Sequence, residues 1–187
     1  LLASGESAGR SLTFNGKSLR VRDLQGFNFA NVRLVFFAAG SKVTQMHAAQ
    51  AAAAGCAVID LASGLPAEQA PRLVPEVNAQ VLATLSAPYL LTSPSAPAIA
   101  LAAVLAALPE SLVIQRLTVT ACLAVSSRGR EAVSELARQT AELLNGRALE
   151  PRLFDRQVAF NLLAQVEQPD SDGHAALERQ IAGEIRQ

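Results

Sequence analysis

Between Val32 and Leu61 the sequence runs through an apolar stretch, a string of helix formers and a second apolar stretch, and this order restricts the fold more than any other feature. Val32-Arg33-Leu34-Val35-Phe36-Phe37 is nearly continuous and ends in Ala38-Ala39-Gly40, which predicts a buried strand followed by a tight turn. Ser41 to Ala54 is rich in helix formers and stops at Gly55, the residue type that most readily closes a helix in the left-handed conformation. Cys56-Ala57-Val58-Ile59-Asp60-Leu61 predicts a second buried strand. Strand, helix and strand within about thirty residues make one βαβ unit, and such units build parallel sheets.

A third strand is predicted near Pro88-Tyr89-Leu90-Leu91-Thr92, before the small-residue loop Ser93-Pro94-Ser95-Ala96 and an apolar helix from Pro97 to Leu108. Proline at Pro94 and Pro97 suits a turn and then a first helical turn. In a parallel open sheet, ligands sit beyond the carboxyl ends of the strands, here the loops at 38–42, 60–65 and 93–96. Upstream, Asn15-Gly16 between two short β-like runs signals a hairpin, because both turn positions require positive φ. Arg72 to Asn78 leads into a short helical stretch at 79–85. The first part of the chain therefore reads as a Rossmann-like doubly wound α/β domain lacking its first βα unit.

After Pro109-Glu110, Leu112 to Val125 is β-rich and partly alternating, as in a sheet with one covered face. Ser126-Ser127-Arg128-Gly129 is a turn, and Glu131 to Asn145 is an amphipathic helix with Val133, Leu136, Thr140, Leu143 and Leu144 on roughly one face. Phe154 to Val166 carries further apolar pattern. Gln168 to Gly173 is a polar loop, and Ala175 to Arg186 is a last helix. This second part reads as a portion of an α+β domain. The domains are drawn at 1–96 and 97–187. Leu1-Leu2-Ala3-Ser4 reads as the end of a strand entered without its beginning, so the chain is expected to be a fragment of a longer protein.

The formal net charge is zero with both signs interspersed, so no basic stripe exists to neutralise phosphates, and nucleic acid is not an expected partner. The apolar run from Ala98 to Leu108 is too short to span a bilayer. Cys56 and Cys122 lie in apolar contexts typical of buried strands, without metal-ligand spacing or a disulfide framework, and are expected to be reduced core thiols. The expected compartment is the cytoplasm. His47 and His174 read as incidental helix or surface residues.

Val74-Pro75-Glu76-Val77-Asn78, Phe154-Asp155-Arg156-Gln157-Val158-Ala159-Phe160-Asn161 and Leu2-Ala3-Ser4-Gly5-Glu6-Ser7-Ala8-Gly9 resemble, in the correct order, the aspartate-semialdehyde dehydrogenase family. Leu136-Ala137-Arg138-Gln139-Thr140 before Leu144-Asn145-Gly146 fits the same family, and Ala121-Cys122-Leu123-Ala124-Val125-Ser126-Ser127 is similar to its Usg-type paralogues. The resemblance implies an NAD(P)-binding domain followed by a dimerisation domain, and a homodimer. It also implies a reaction in amino-acid biosynthesis: a cysteine thiolate forms a thioacyl intermediate from an acyl phosphate, and a nicotinamide cofactor delivers hydride to it.

Residue by residue, the resemblance places the family's nucleophile at Ala96, whose methyl group cannot attack a carbonyl. Ser95, next to it, has a hydroxyl but no base visible in the sequence, and a loop-packing or helix-cap role is expected for it. The substrate-orienting glutamine position falls on Leu123 and an anion-binding arginine position on Leu65, where apolar side chains replace the expected chemistry. A family glutamate in the last helix is matched to Glu178, and the lysine after it to Gln180. Cofactor contacts are implied at Ser4, Ser7, Ala8 and Gly9 and, nearer the nicotinamide, at Ala39 and Gly40. Glu6 stands where many members have arginine, and its carboxylate disfavours the 2′-phosphate of NADP while suiting the ribose hydroxyl of NAD. The expectation is a dinucleotide-binding pseudoenzyme. Two other readings stay open: a working dehydrogenase with a nucleophile from elsewhere, Cys122 being the nearby candidate, and a dimeric scaffold.

Overall fold

A computed structural model describes residues 1–109, 111–164 and 167–186. Glu110 and Val166, which bound two of the expected segments, lie outside the described residues. The strands are β1 (Leu2–Ala3), β2 (Ser11–Phe14), β3 (Lys17–Arg20), β4 (Arg22–Asp23), β5 (Leu34–Phe37), β6 (Ala57–Asp60) and β7 (Leu90–Thr92). The helices are α1 (Ser41–Ala53), α2 (Pro75–Asn78), α3 (Val81–Thr84), α4 (Ala96–Ala106), α5 (Arg130–Leu144) and α6 (Ala176–Ile185). Two compact units result: Leu1–Pro109 with Gly183–Gln187, and Glu110–Ala182.

In the first unit β5, β6 and β7 form a parallel sheet in that order, with Val35 opposite Val58 and Ile59 opposite Leu91. The βαβ unit expected from Val32 to Leu61 is thus β5, α1 and β6. Gly55 closes α1 at φ 87°, the conformation that favours glycine. Helix α1 lays Ala48, Ala51 and Ala52 against Phe29, Phe37, Cys56 and Val58 to make the core. Small alanine side chains let the helix approach the sheet closely. Burying such apolar area contributes roughly 25 cal/mol per Å². Cys56 is buried as expected, and its thiol donates to the Val32 carbonyl at 3.0 Å.

Strands β2 and β3 form the hairpin signalled by Asn15-Gly16, whose φ values of 49° and 73° are both positive. The hairpin is exposed along its whole length. Strand β1 pairs in parallel with β4, and between β1 and β2 the turn at 4–9 is closed by the Ser7 and Ala8 N–H groups donating to the Ser4 carbonyl. The Val74-Pro75-Glu76-Val77-Asn78 motif also has a local physical role. Asn78 Oδ1 accepts from Val74 N at 2.8 Å and its Nδ2 donates to the Arg72 carbonyl, locking the loop onto α2.

The second unit departs from the sequence reading in two ways. Residues 112–124 make no strand ladder among the described residues, and Cys122 in that segment is exposed rather than buried. A strand needs a hydrogen-bonded neighbour, and alternation of apolar residues cannot supply one. The second departure is the buried face of α5. Its buried residues are Ala132, Glu135 and Gln139, whereas Val133 and Leu144 are exposed.

Polar residues occupy that face because the irregular segment after α5 needs backbone partners. Gln139 Oε1 accepts from Val158 N at 2.8 Å and Ala159 N at 3.2 Å, and Gln139 Nε2 donates to Glu135 Oε1. Glu135 also accepts from Arg152 N and from Arg138, and Arg138 reaches on to Glu142 and to the Glu150 carbonyl. Amides that cannot join a ladder must find an acceptor elsewhere when buried. The Phe154 to Asn161 motif and the Gln139 of the α5 motif are the two sides of this lock.

Candidate functional site

The three loops at the carboxyl ends of β5, β6 and β7 meet around two buried carboxylates. Asp60, the last residue of β6, is completely buried. Its Oδ1 accepts from Thr44 Oγ1 at 3.1 Å and Ala62 N at 2.9 Å; its Oδ2 accepts from Gly64 N at 2.6 Å and Leu65 N at 2.9 Å. One carboxylate therefore ties the first turns of α1 to the loop after β6. The Asp60 carbonyl accepts from Ser93 N at 2.8 Å, which brings in the loop after β7.

Glycine at position 64 is required by space. A Cβ there would stand 2.6 Å from the Ser41 carbonyl oxygen and 2.7 Å from Thr44 Cβ. Backbone cannot yield as a side-chain tip can. Gly64→Ala is expected to lower stability by about 1–3 kcal/mol, the usual cost of overpacking, in a denaturant titration compared with the parent chain.

The second carboxylate is Glu184, near the end of α6 and within the first unit. Its Oε1 accepts from Ser63 Oγ at 3.2 Å, and its Oε2 accepts from Ser95 N at 2.9 Å and from Ser95 Oγ at 2.5 Å. Ser95 is the N-cap of α4, yet its hydroxyl is turned to Glu184 and makes no capping bond to its own helix. The negative charge lies at the positive end of that helix, where it is stabilised.

Sequence reasoning singled out Glu178 and missed Glu184. Glu178 is exposed and accepts from Ala175 N at 2.9 Å at the start of α6. A signal for Glu184 was nevertheless present: with Leu177 and Ile181 it falls at i, i+4 and i+7, a charge on the apolar stripe of its helix.

Other expected site residues are placed as follows. Ala96 is the first residue of α4, and its methyl group is exposed. Leu65 is half-buried beside Asp60, and Leu123 lies in the exposed 112–124 segment of the second unit. Ser4 is exposed and Ser7 and Ala8 half-buried in the turn after β1, where Gly9 has φ 85°. Ala39 and Gly40 are exposed at the end of β5, with Gly40 at φ 103° as the N-cap of α1. Val43 N and Thr44 N donate to the Gly40 carbonyl, so the loop passes directly into the helix. Among the described residues no cluster of three or more His, Cys, Asp or Glu could hold a metal ion. No helix of the described residues is long and apolar enough to cross a membrane.

Comparison with known proteins agrees with this arrangement. Residues 1–85 match the semialdehyde dehydrogenase NAD-binding domain, and residues 105–186 match the semialdehyde dehydrogenase dimerisation domain. Over its full length the chain is 57% identical to a USG-1 protein homolog from Azotobacter vinelandii, covering 56% of that protein. It is 33% identical over 99% of its length to an aspartate-semialdehyde dehydrogenase from a Shewanella species, covering 55% of it. The chain thus spans just over half the length of these relatives. Among solved structures, a probable aspartate-semialdehyde dehydrogenase from Pseudomonas aeruginosa superposes with a TM-score of 0.95 at 56% identity, over all of this chain and 56% of that one. Aspartate semialdehyde dehydrogenase II from Vibrio cholerae gives 0.92 at 34% identity, over 99% of this chain and 56% of that one. With both domains matched in order, the Rossmann-like sheet in place and this chain aligned nearly end to end with part of relatives of both kinds, the chain belongs to the aspartate-semialdehyde dehydrogenase family, among its USG-1-type members.

Proposed function

We propose that the protein is a dinucleotide-binding family member that has lost the family's thiol chemistry. The observation that carries this reading is Ala96: strand β7, Pro94 and helix α4 are retained around a position where only a methyl group stands. Leu65 and Leu123 support it, since neither can orient or bind an anionic substrate. Reductive dephosphorylation of an acyl phosphate to a semialdehyde is therefore not its reaction. The cofactor we propose is NAD or NADP, held by the turn at 4–9 and by Ala39 and Gly40. Glu6 tilts the choice toward NAD.

We further propose a homodimer, which the exposed Leu112, Val113, Leu117 and Val119 of the extended segment favour, since an exposed apolar run marks a surface meant to be covered. The cytoplasm is the proposed compartment, in keeping with two cysteines that form no disulfide. Calorimetric titration with NAD and NADP, beside an assay of the phosphate-dependent oxidation of aspartate semialdehyde, tests the reading. Heat on binding with no turnover is the expected result. Turnover comparable with a Cys-bearing relative would overturn it, and absence of binding to either cofactor would leave the dimeric scaffold in its place.

A further inference from the structure

We infer that Ser95 and Glu184 form a nucleophile–base pair able to take an acyl group from an activated apolar ester or thioester. The inference goes beyond the function proposed above and does not require a dinucleotide, so the two can fail separately. Its basis is the 2.5 Å bond from Ser95 Oγ to Glu184 Oε2. A serine hydroxyl is a weak nucleophile until an adjacent base takes its proton, and a hydrogen bond of this length is the required geometry. Ser63 Oγ holds the other carboxylate oxygen at 3.2 Å, so the base is itself oriented by a third group.

Two further features complete the requirements for acyl transfer. Helix α4 has eleven residues, and its Ala96 and Ala98 N–H groups, with Pro97 between them offering none, have no acceptor within the helix. Such donors beside a nucleophile stabilise the oxyanion of a tetrahedral intermediate. A groove of about 490 Å³ is lined by Glu184 and by Pro94, the residue before Ser95. Ala98 also forms part of its wall, and Val74, Val77 and Leu105 extend it as apolar surface. It suits an acyl chain of several carbons.

The reaction balances without redox chemistry. Ser95 Oγ bonds to the acyl carbon as its proton passes to Glu184 Oε2. The bond from acyl carbon to the leaving oxygen or sulfur then breaks, and the leaving group takes that proton. Water next attacks the acyl-serine, giving one proton to Glu184, and the carboxylic acid departs as Ser95 recovers its hydrogen.

The test is to incubate the full chain with p-nitrophenyl acetate and p-nitrophenyl butyrate, following nitrophenol release and locating any acyl adduct by peptide mass spectrometry. An adduct on Ser95 is expected, absent in Ser95→Ala, with release slowed on the order of 100-fold or more in Glu184→Gln. Ala102→Phe, which narrows the groove, is expected to slow butyrate more than acetate. Thermal melts of each variant separate loss of fold from loss of chemistry. No adduct on the parent chain, an adduct on another residue, or release unchanged in a folded Ser95→Ala variant would each overturn the inference.

Discussion

Replacing Asp60 by alanine is expected to loosen the loops at the carboxyl edge of the first unit's sheet, at a cost of about 3–5 kcal/mol. The carboxylate receives four donors, and the Ala62, Gly64 and Leu65 N–H groups among them have no other acceptor among the described residues. A buried donor left unsatisfied costs roughly 1–3 kcal/mol. Loss of the whole carboxylate therefore outweighs an ordinary core truncation. For a chain of this size the melting midpoint should fall on the order of 10 °C.

Asp60→Asn is expected to cost less than Asp60→Ala, for a reason that can be read atom by atom. An amide oxygen at the Oδ2 position keeps the Gly64 and Leu65 bonds, while its NH₂ faces Thr44 Oγ1, which can rotate to accept, and Ala62 N, which cannot. One donor is then orphaned instead of three. Hydrogen exchange resolved to single amides checks the ranking: protection should fall at Ala62 in both variants and at Gly64 and Leu65 only in the alanine variant. Equal stability of parent and Asp60→Asn would show that the carboxylate is not what holds the loops.

In the second unit the largest effect is expected from Gln139→Leu. The substitution preserves approximate volume but strips Val158 N and Ala159 N of their shared acceptor and Glu135 of one donor. A loss of about 2–4 kcal/mol follows from two orphaned buried amides. The 150–161 segment should detach from α5 first, becoming open to a protease before the sheet of the first unit changes. Retained protection of Val158 and Ala159 in the variant would count against this account.

The same lock gives the second unit a pH dependence. Hydrogen bonds from Arg138, opposed by burial and reinforced by Gln139 and the Arg152 amide, bring the Glu135 pKa down from 4.5 to about 2. The folded pKa lies below the unfolded one, so the contribution is fully present above about pH 4.5 and is lost as pH falls toward 2. Acid titration of Glu135→Gln should lack that part of the parent's decline. Asp170 is also depressed, by hydrogen bonds from Arg179 and the His174 amide, but this pair is exposed and little stability is expected from it.

Much of the first unit could be read from the sequence because local signals and global packing agree there. Gly55 and the Asn15-Gly16 pair force backbone conformations that few other residues adopt, and the Val32 to Leu61 pattern permits one arrangement of its strands. The second unit was harder to read. Its buried face is made of Glu135 and Gln139, and periodicity assigns charged and amide side chains to solvent. The need those residues meet lies some twenty positions away, in amides that form no ladder. Glu184 was missed for a related reason: its partners, Ser63 and Ser95, are distant in sequence, and nothing local distinguishes it from Glu178 except its place on an apolar stripe.

The exposure of Ala96 bears on how such a chain can change over generations. Asp60 and Glu184 fix the loops through residues 44, 62–65, 93 and 95, and the side chain at 96 takes no part in that work. A substitution at an exposed first-turn position disturbs stability by only about 0.5 kcal/mol. Selection on folding is therefore nearly blind to this residue, and a lineage can surrender or recover a reactive group there without passing through an unfolded intermediate sequence.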